Sequence, residues 1–148
     1  MYKKIVVPLD RSVGAESALG VAADFATANG GMIRLLHVAQ NPGAVVVDGR
    51  VVAYADQEAE RVQHEGESYL RTVAGRLTGH PVEVAVRFGD PTAEIIEEAR
   101  EVGADLIVIA THGRGGVARL LLGSVAAAVL RESQVPVVLV RHGLPAAA

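Results

Sequence analysis

The sequence predicts an α/β fold in which one open sheet of parallel strands is covered by helices on both faces. Its aliphatic runs are continuous rather than alternating, which is typical of strands buried on both sides. Helical patterns separate these runs, and that order favours a parallel sheet with right-handed crossovers. Half of the 148 residues are hydrophobic but only 3% are aromatic, so we expect one domain with an aliphatic core.

Five aliphatic runs are the predicted strands, and the segments between them are the predicted helices. The strands are Lys4–Leu9, Met32–Val38, Val82–Phe88, Leu106–Ala110 and Val135–Val140. The helices are Ala15–Ala28, Ala55–Leu77, Pro91–Val102 and Ser124–Arg131. Asp90 is suited to cap the third helix, because Pro91 follows at the first helical position. Asn29–Gly30–Gly31 is suited to end the first helix.

The segment Asn41–Tyr54 has two interpretations. Asp48–Gly49 stands between two valine runs, which is a hairpin signal. A variable surface loop is the interpretation that we favour from the sequence.

Composition and charge argue against several classes of function. The formal net charge is −3, so no bulk basic field indicates nucleic acid. No apolar run reaches the length of a membrane span, and the first one is too short for a signal peptide. Cysteine is absent, which excludes thiol chemistry and fits the cytoplasm. We expect one domain over residues 1–142 and a small flexible tail over residues 143–148.

Catalytic motifs are also absent from the sequence. The lysines are Lys3 and Lys4, so there is no P-loop. Neither a dinucleotide-binding G-x-G-x-x-G after the first strand nor a G-x-S-x-G nucleophile elbow occurs. The histidines lack metal-ligand spacing, and His112 has no orienting partner in the sequence. We therefore predict no catalytic residue and no metal held by protein side chains.

Three loops leave the carboxyl ends of strands, where open parallel sheets bind their ligands. The first carries Pro8, Leu9 and Asp10, the second carries Val38, and the third begins at Thr111. The carboxylate of Asp10 is suited to accept hydrogen bonds from ribose hydroxyls. An Asx turn or a helix cap, with Ser12 as competitor, is an equally good interpretation of Asp10.

The glycine-rich third loop predicts an anion site. Gly113 and Gly116 lie in this loop, and nine residues after Gly113 come Gly123 and Ser124, which open an apolar helix. Bare backbone N–H groups and a helix N-terminus both favour phosphate. Arg114 is suited to neutralise it. A turn, a helix cap and a solvated charge remain the ordinary alternatives for these residues.

These segments resemble the universal stress protein family over nearly the whole chain. The similar stretches are KKIVVPLDRS, LLHV, FGDPTAEII, ADLIVIATHGRGG, ARLLLGS and PVVLVR. The ATP-binding subgroup carries G-x-x-G, nine residues and G-[ST], and Gly113, Gly123 and Ser124 match it. Ala110 stands where the first glycine of that motif falls. If the backbone approaches the ligand closely there, the methyl group of Ala110 would crowd the ligand and lower its affinity.

The resemblance implies a single-domain Rossmann-like sheet of five parallel strands in the order 3-2-1-4-5. It implies ATP, with AMP and ADP as alternatives and Mg through the phosphates as an option, across the ends of strands one and four. Adenine would lie near Leu9, Asp10 and Val38. The full set of candidate binding residues is Pro8, Leu9, Asp10, Val38, Ala110, Gly113, Arg114, Gly116, Gly123, Ser124 and Val125.

The last strand predicts self-association. An aliphatic strand at a sheet edge pairs readily with another chain, and a two-fold axis would place two such strands antiparallel. We expect a homodimer through Val137–Val140, as the resemblance also implies.

The leading hypothesis for function is a cytoplasmic, ATP-binding regulatory module of stress adaptation with an unidentified protein partner. A slow ATPase or nucleotide hydrolase is one alternative. A nucleotide-free dimeric interaction protein is the other.

Overall fold

A sheet of five parallel strands forms the centre of the computed structural model, which describes residues 1–112 and 117–142, and side chains within 1–111 and 123–141. The strands of the chain are β1 (Lys4–Pro8), β2 (Met32–Ala39), β3 (Val45–Val47), β4 (Arg50–Ala53), β5 (Val82–Phe88), β6 (Leu106–His112) and β7 (Val137–His142). The large sheet has the order β5-β2-β1-β6-β7. This is the third, second, first, fourth and fifth of its strands, so the predicted fold class is confirmed.

In the described part of the chain, four helices cover the two faces of the sheet. They are α1 (Ala18–Asn29), α2 (Ala55–Ala74), α3 (Pro91–Glu101) and α4 (Val117–Glu132), with a short 3-10 turn at Ala15–Ser17 before α1. The predicted α1, α2 and α3 are each confirmed within a few residues. None of these described helices combines the length and the apolar character that crossing a membrane requires.

The core has two layers, one on each side of the sheet. Ile5 and Val7 of β1 pack with α1 and α2, whereas Val6 packs with α3 and α4. All three side chains are fully buried, which is the reason why β1 is a continuous aliphatic run. The centre of the sheet is therefore packed from both sides. This packing holds the carboxyl ends of the central strands in place.

The end of α1 and the start of α3 are formed by the residues that the sequence predicts for them. Gly30 has a φ of 60° directly after α1, a conformation that glycine adopts without steric cost. At the start of α3, Asp90 Oδ2 accepts a hydrogen bond of 2.9 Å from the N–H of Ala93, and Pro91 occupies the first helical position.

The segment Asn41–Tyr54 contains a β-hairpin, so the favoured expectation of a surface loop was wrong. β3 and β4 pair antiparallel around Asp48 and Gly49. These two residues have φ values of 50° and 74°. A two-residue hairpin turn of this kind requires positive φ at both positions, and Asp-Gly supplies it at low cost.

The fourth helix begins seven residues earlier than predicted, at Val117 rather than at Ser124. Gly123 and Ser124 therefore lie inside α4 and do not open it. The segment before them is rich in strong helix formers, which outweigh the penalty of about 1 kcal/mol for one internal glycine. The last strand is also shifted, because it begins at Val137, directly after Pro136.

Candidate functional site

A cleft opens at the carboxyl edge of the sheet, where the strand order reverses at β1. Its volume is about 170 Å³. The sheet contributes the ends of β1, β2 and β6, and the turn that leads into α1 and the first half of α3 form two walls. The lining residues are Pro8, Leu9, Asp10, Gly14, Ala15, Leu36, Val38, Pro91, Ile95, Ile109, Ala110, Thr111 and Val125. Most of them are apolar, so the cleft is suited to a ligand with an apolar part.

Six of the predicted site residues meet in this one cleft, namely Pro8, Leu9, Asp10, Val38, Ala110 and Val125. They come from the ends of three strands, the loop after β1 and one helix. Gly123 and Ser124 directly precede Val125 in α4. The three remaining predictions, Gly113, Arg114 and Gly116, lie outside the described residues.

Asp10 is the acidic residue of the cleft lining, and its side chain is exposed. Its Oδ1 accepts a hydrogen bond of 2.9 Å from the N–H of Ser12 and a second one of 2.5 Å from the Ser12 hydroxyl. The Ser12 hydroxyl in turn accepts from the N–H of Ala15 at 3.1 Å. The Asx-turn interpretation of Asp10 is thus confirmed. Because these contacts use Oδ1, Oδ2 is left as an acceptor towards a ligand.

The backbone at Leu9 is fixed by its neighbour β2. The N–H of Leu9 donates to the carbonyl oxygen of Leu36 at 2.7 Å. The carbonyl oxygen of Leu9 accepts from Nδ1 of His37 at 2.9 Å. His37, which lies within β2, therefore holds the floor of the cleft at Leu9.

The loop between β1 and α1 is also held from the side of α2. Arg11 has a φ of 71°, and its guanidinium lies 5.8 Å from the centre of the Tyr69 ring. The Tyr69 hydroxyl donates to Glu16 at 2.8 Å. Hydrogen bonds from Arg76 and Tyr69 hold the pKa of Glu16 below its ordinary value, so this carboxylate stays charged near neutrality. The loop that carries Asp10, and the 3-10 turn that follows it, are thus tied to α2.

The backbone at Ala110 and Gly123 bears on how closely a ligand can approach. Ala110 lies in a regular strand and is not among the residues with positive φ. A side chain is therefore accommodated there without backbone strain. At Gly123, an added Cβ would meet no described atom within 4 Å.

Several cleft residues were not predicted from the sequence. Thr111 extends β6 beyond its predicted end, and Gly14 and Ala15 follow the first loop. Pro91 and Ile95 form a wall at the start of α3. Their signal was the Asp90–Pro91 helix start, which marks the carboxyl end of β5. Among the described residues, no three His, Asp or Glu side chains are grouped so that they could hold a metal ion.

Comparison with known proteins gives the family. The model of the universal stress protein family matches residues 1–141. Universal stress protein G of Shigella flexneri is 35% identical over 144 residues, which cover 95% of this chain and 100% of that protein. The chain therefore belongs to the universal stress protein family.

Solved structures agree with this assignment. The structure of protein MJ0577, a universal stress protein of Methanocaldococcus jannaschii, superposes with a TM-score of 0.78 at 27% identity and covers 98% of this chain and 99% of that one. A universal stress protein of Archaeoglobus fulgidus, solved in complex with dAMP, has a TM-score of 0.59 at 26% identity. That alignment covers 93% of this chain and 97% of the other.

Proposed function

We propose that this chain binds an adenine nucleotide, with ATP as the first candidate, in the cleft at the carboxyl ends of β1, β2 and β6. The observation that carries the proposal is the convergence of Leu9, Asp10, Val38 and Ala110 on one apolar cleft with a carboxylate at its rim. Apolar walls with a few convergent polar groups are typical of small-molecule sites. The dAMP complex of the Archaeoglobus relative supports the same ligand class.

The residues divide between the parts of a nucleotide. The side chains of Leu36, Val38 and Ile95 offer an apolar seat for the base. Asp10 Oδ2 would accept from ribose hydroxyls, since Oδ1 is engaged by Ser12. Gly123 and Ser124 of α4 are the proposed phosphate contacts, together with the glycine-rich loop before that helix. Mg²⁺, where it takes part, would be bound through the phosphates rather than by a set of protein ligands.

The biological role that we infer is regulatory. A nucleotide held in this cleft would change the surface that the molecule offers to a protein partner in the cytoplasm during stress. Slow hydrolysis of ATP is the second role to be tested. Two results together would favour hydrolysis. The phosphate-releasing activity should co-purify with the protein through every step, and Asp10→Ala should reduce it.

Mass spectrometry of small molecules released from the purified, denatured protein tests the ligand. We expect ATP, ADP or AMP at a substantial fraction of one per chain. Calorimetric titration of the nucleotide-free protein with each of the three then ranks them. Absence of a released nucleotide together with absence of heat at millimolar ATP would favour the nucleotide-free interaction protein.

We also propose a homodimer through Val137–Val140. β7 is an edge strand of the sheet, and an unpaired aliphatic edge favours pairing with a second chain. Leu139 is 40% exposed, whereas Val138 and Val140 pack against the core on the α1 side. Leu139 is therefore the side chain that we expect at the interface.

A further inference from the structure

A buried carboxylate lies beneath the α3 wall of the cleft. Among the residues whose burial is described, Glu98 is the one buried charged side chain, at 3% exposure. The residues that α3 buries are Ile95, Glu98 and Ala99. Of these, Ile95 also lines the cleft. Because residues three apart share a helix face, Glu98 lies under the wall that Ile95 forms.

Both oxygens of Glu98 are held by arginines from two different strands. Oε2 accepts from Nε of Arg34 on β2 at 2.5 Å, and Oε1 accepts from Nη1 of Arg87 on β5 at 3.1 Å. Charge-assisted hydrogen bonds of this kind are directional as well as strong. The carboxylate therefore fixes the distance of α3 from the sheet at two points.

The positions of Arg34 and Arg87 in the sheet show where these two contacts of Glu98 lie relative to the cleft floor. Arg87 is the register partner of Val38, a cleft residue. Arg34 lies four residues before Val38 on the same strand, so the two share a face of the sheet. The ion pair with Arg87 thus ties α3 to the sheet at the level where the ligand would lie.

Further ion pairs join α3 to Arg87 from its first turn to its last residue. Its Nε binds Glu94 at 2.8 Å, and its Nη1 binds Glu101 at 3.0 Å. Although burial alone lowers it, hydrogen bonds to these carboxylates and to Glu98 raise the pKa of Arg87 above its ordinary value. Arg34 also pairs with Glu83 across the strands. The apolar side chains that α3 buries are Ile95 and Ala99, so ion pairs are prominent among its contacts with the sheet.

We propose that Glu98 is a positioning residue of the nucleotide site, which sets the place of the Ile95 wall through Arg34 and Arg87 without touching the ligand. The inference rests on the proposed function. It goes further by assigning part of the affinity to a charge beneath the cleft. Removing one partner of a buried pair leaves the other charges uncompensated, so the helix should move rather than remain in place.

Two matched substitutions on α3 test the proposal. Glu98→Gln keeps the shape of the side chain and removes its charge, whereas Glu97→Gln removes an exposed charge that pairs with Arg100 on the same helix. In calorimetry with ATP below the unfolding temperature, we expect Glu98→Gln to weaken binding about tenfold, because site geometry is held by such supporting contacts. Glu97→Gln should stay within about twofold, as for an exposed pair.

The δ1-methyl NMR signal of Ile95 in the ligand-free protein is the second readout. It should shift in Glu98→Gln and keep its position in Glu97→Gln. A lower melting temperature with unchanged ATP affinity and an unchanged Ile95 signal would show that Glu98 only stabilises the fold, and would overturn the proposal.

Two further arms keep the test decisive. If the unsubstituted protein does not bind ATP, the proposed function fails, and the Ile95 signal still decides whether Glu98 sets the wall. If Glu98→Gln does not fold, Arg87→Lys keeps the charge but loses the fork that binds three carboxylates. It should weaken ATP and shift Ile95 in the same direction, and the absence of both effects would overturn the proposal.

Discussion

Ala110, on the wall of the cleft, is the register partner of Val140 on the edge strand β7. The proposed nucleotide site and the proposed dimer edge are therefore neighbours in one sheet, separated by a single strand spacing. The effect of a substitution on β6 or β7 can therefore be measured both on nucleotide binding and on dimer formation. Binding and association should accordingly be followed together in each of the variants below.

Asp10→Ala should weaken ATP binding about tenfold or more, because a hydrogen bond to a charged group contributes about 1.5–3 kcal/mol. Calorimetry measures this loss. Ser12→Ala is the control, since it loosens the turn that Asp10 forms but keeps the carboxylate. If the two variants lose affinity equally, the role of Asp10 is confined to shaping the loop.

Gly123→Val should block the phosphates while the fold is kept. Its side chain would enter open space among the described residues, and valine is no worse than glycine inside a helix. Gly20→Val is a matched control on α1, because an added Cβ there also meets no described atom within 4 Å. ATP affinity that is equal in both folded variants would contradict the phosphate assignment.

Ala110→Gly should tighten ATP binding by a small factor, since it removes a methyl group beside the ligand. Glycine in a strand interior costs about 0.5–1 kcal/mol, so the melting temperature should fall at the same time. Titration and thermal unfolding of the same sample separate the two effects. Weaker binding would mean that strand rigidity matters more than the space gained.

Leu139→Asp should give a folded monomer in sedimentation at micromolar concentration. Val138→Asp is the contrasting variant, because Val138 packs against the core and a charge there should destabilise the fold. Leu130→Asp introduces the same charge at an exposed leucine of α4 and should leave the dimer intact. An unsubstituted protein that sediments as a monomer would rule out this interface.

The sequence predicted those parts of the molecule that depend on local pattern. Fully buried β1 is visible as an aliphatic run, and the start of α3 is visible at Asp90–Pro91. The beginning of α4 was missed because Gly123 was taken as a helix boundary, although neighbouring helix formers override one glycine. The hairpin was underrated because its stability depends on positive φ at Asp48 and Gly49, for which the sequence gives only a preference.

The cleft residues that the sequence predicted lie at strand ends, apart from Val125 on α4, which the family resemblance implied. Leu9, Asp10 and Val38 follow from the rule that ligands lie beyond the carboxyl ends of parallel strands. Ile95 belongs to a helix whose place beside the cleft depends on the strand order and on the ion pairs of Glu98. Such long-range pairings between side chains leave no signal in a single sequence.

Methyl NMR of the protein titrated with ATP tests most directly whether the cleft is the nucleotide site. The methyl groups of Val38, Ile95, Ile109 and Val125 line it, whereas those of Val46 and Val52 are exposed on the β3–β4 hairpin. We expect saturable shifts in the first group that share one dissociation constant with calorimetry, and no shifts in the second. Binding heat without shifts at the cleft methyls, or no response at millimolar ATP, would contradict the account.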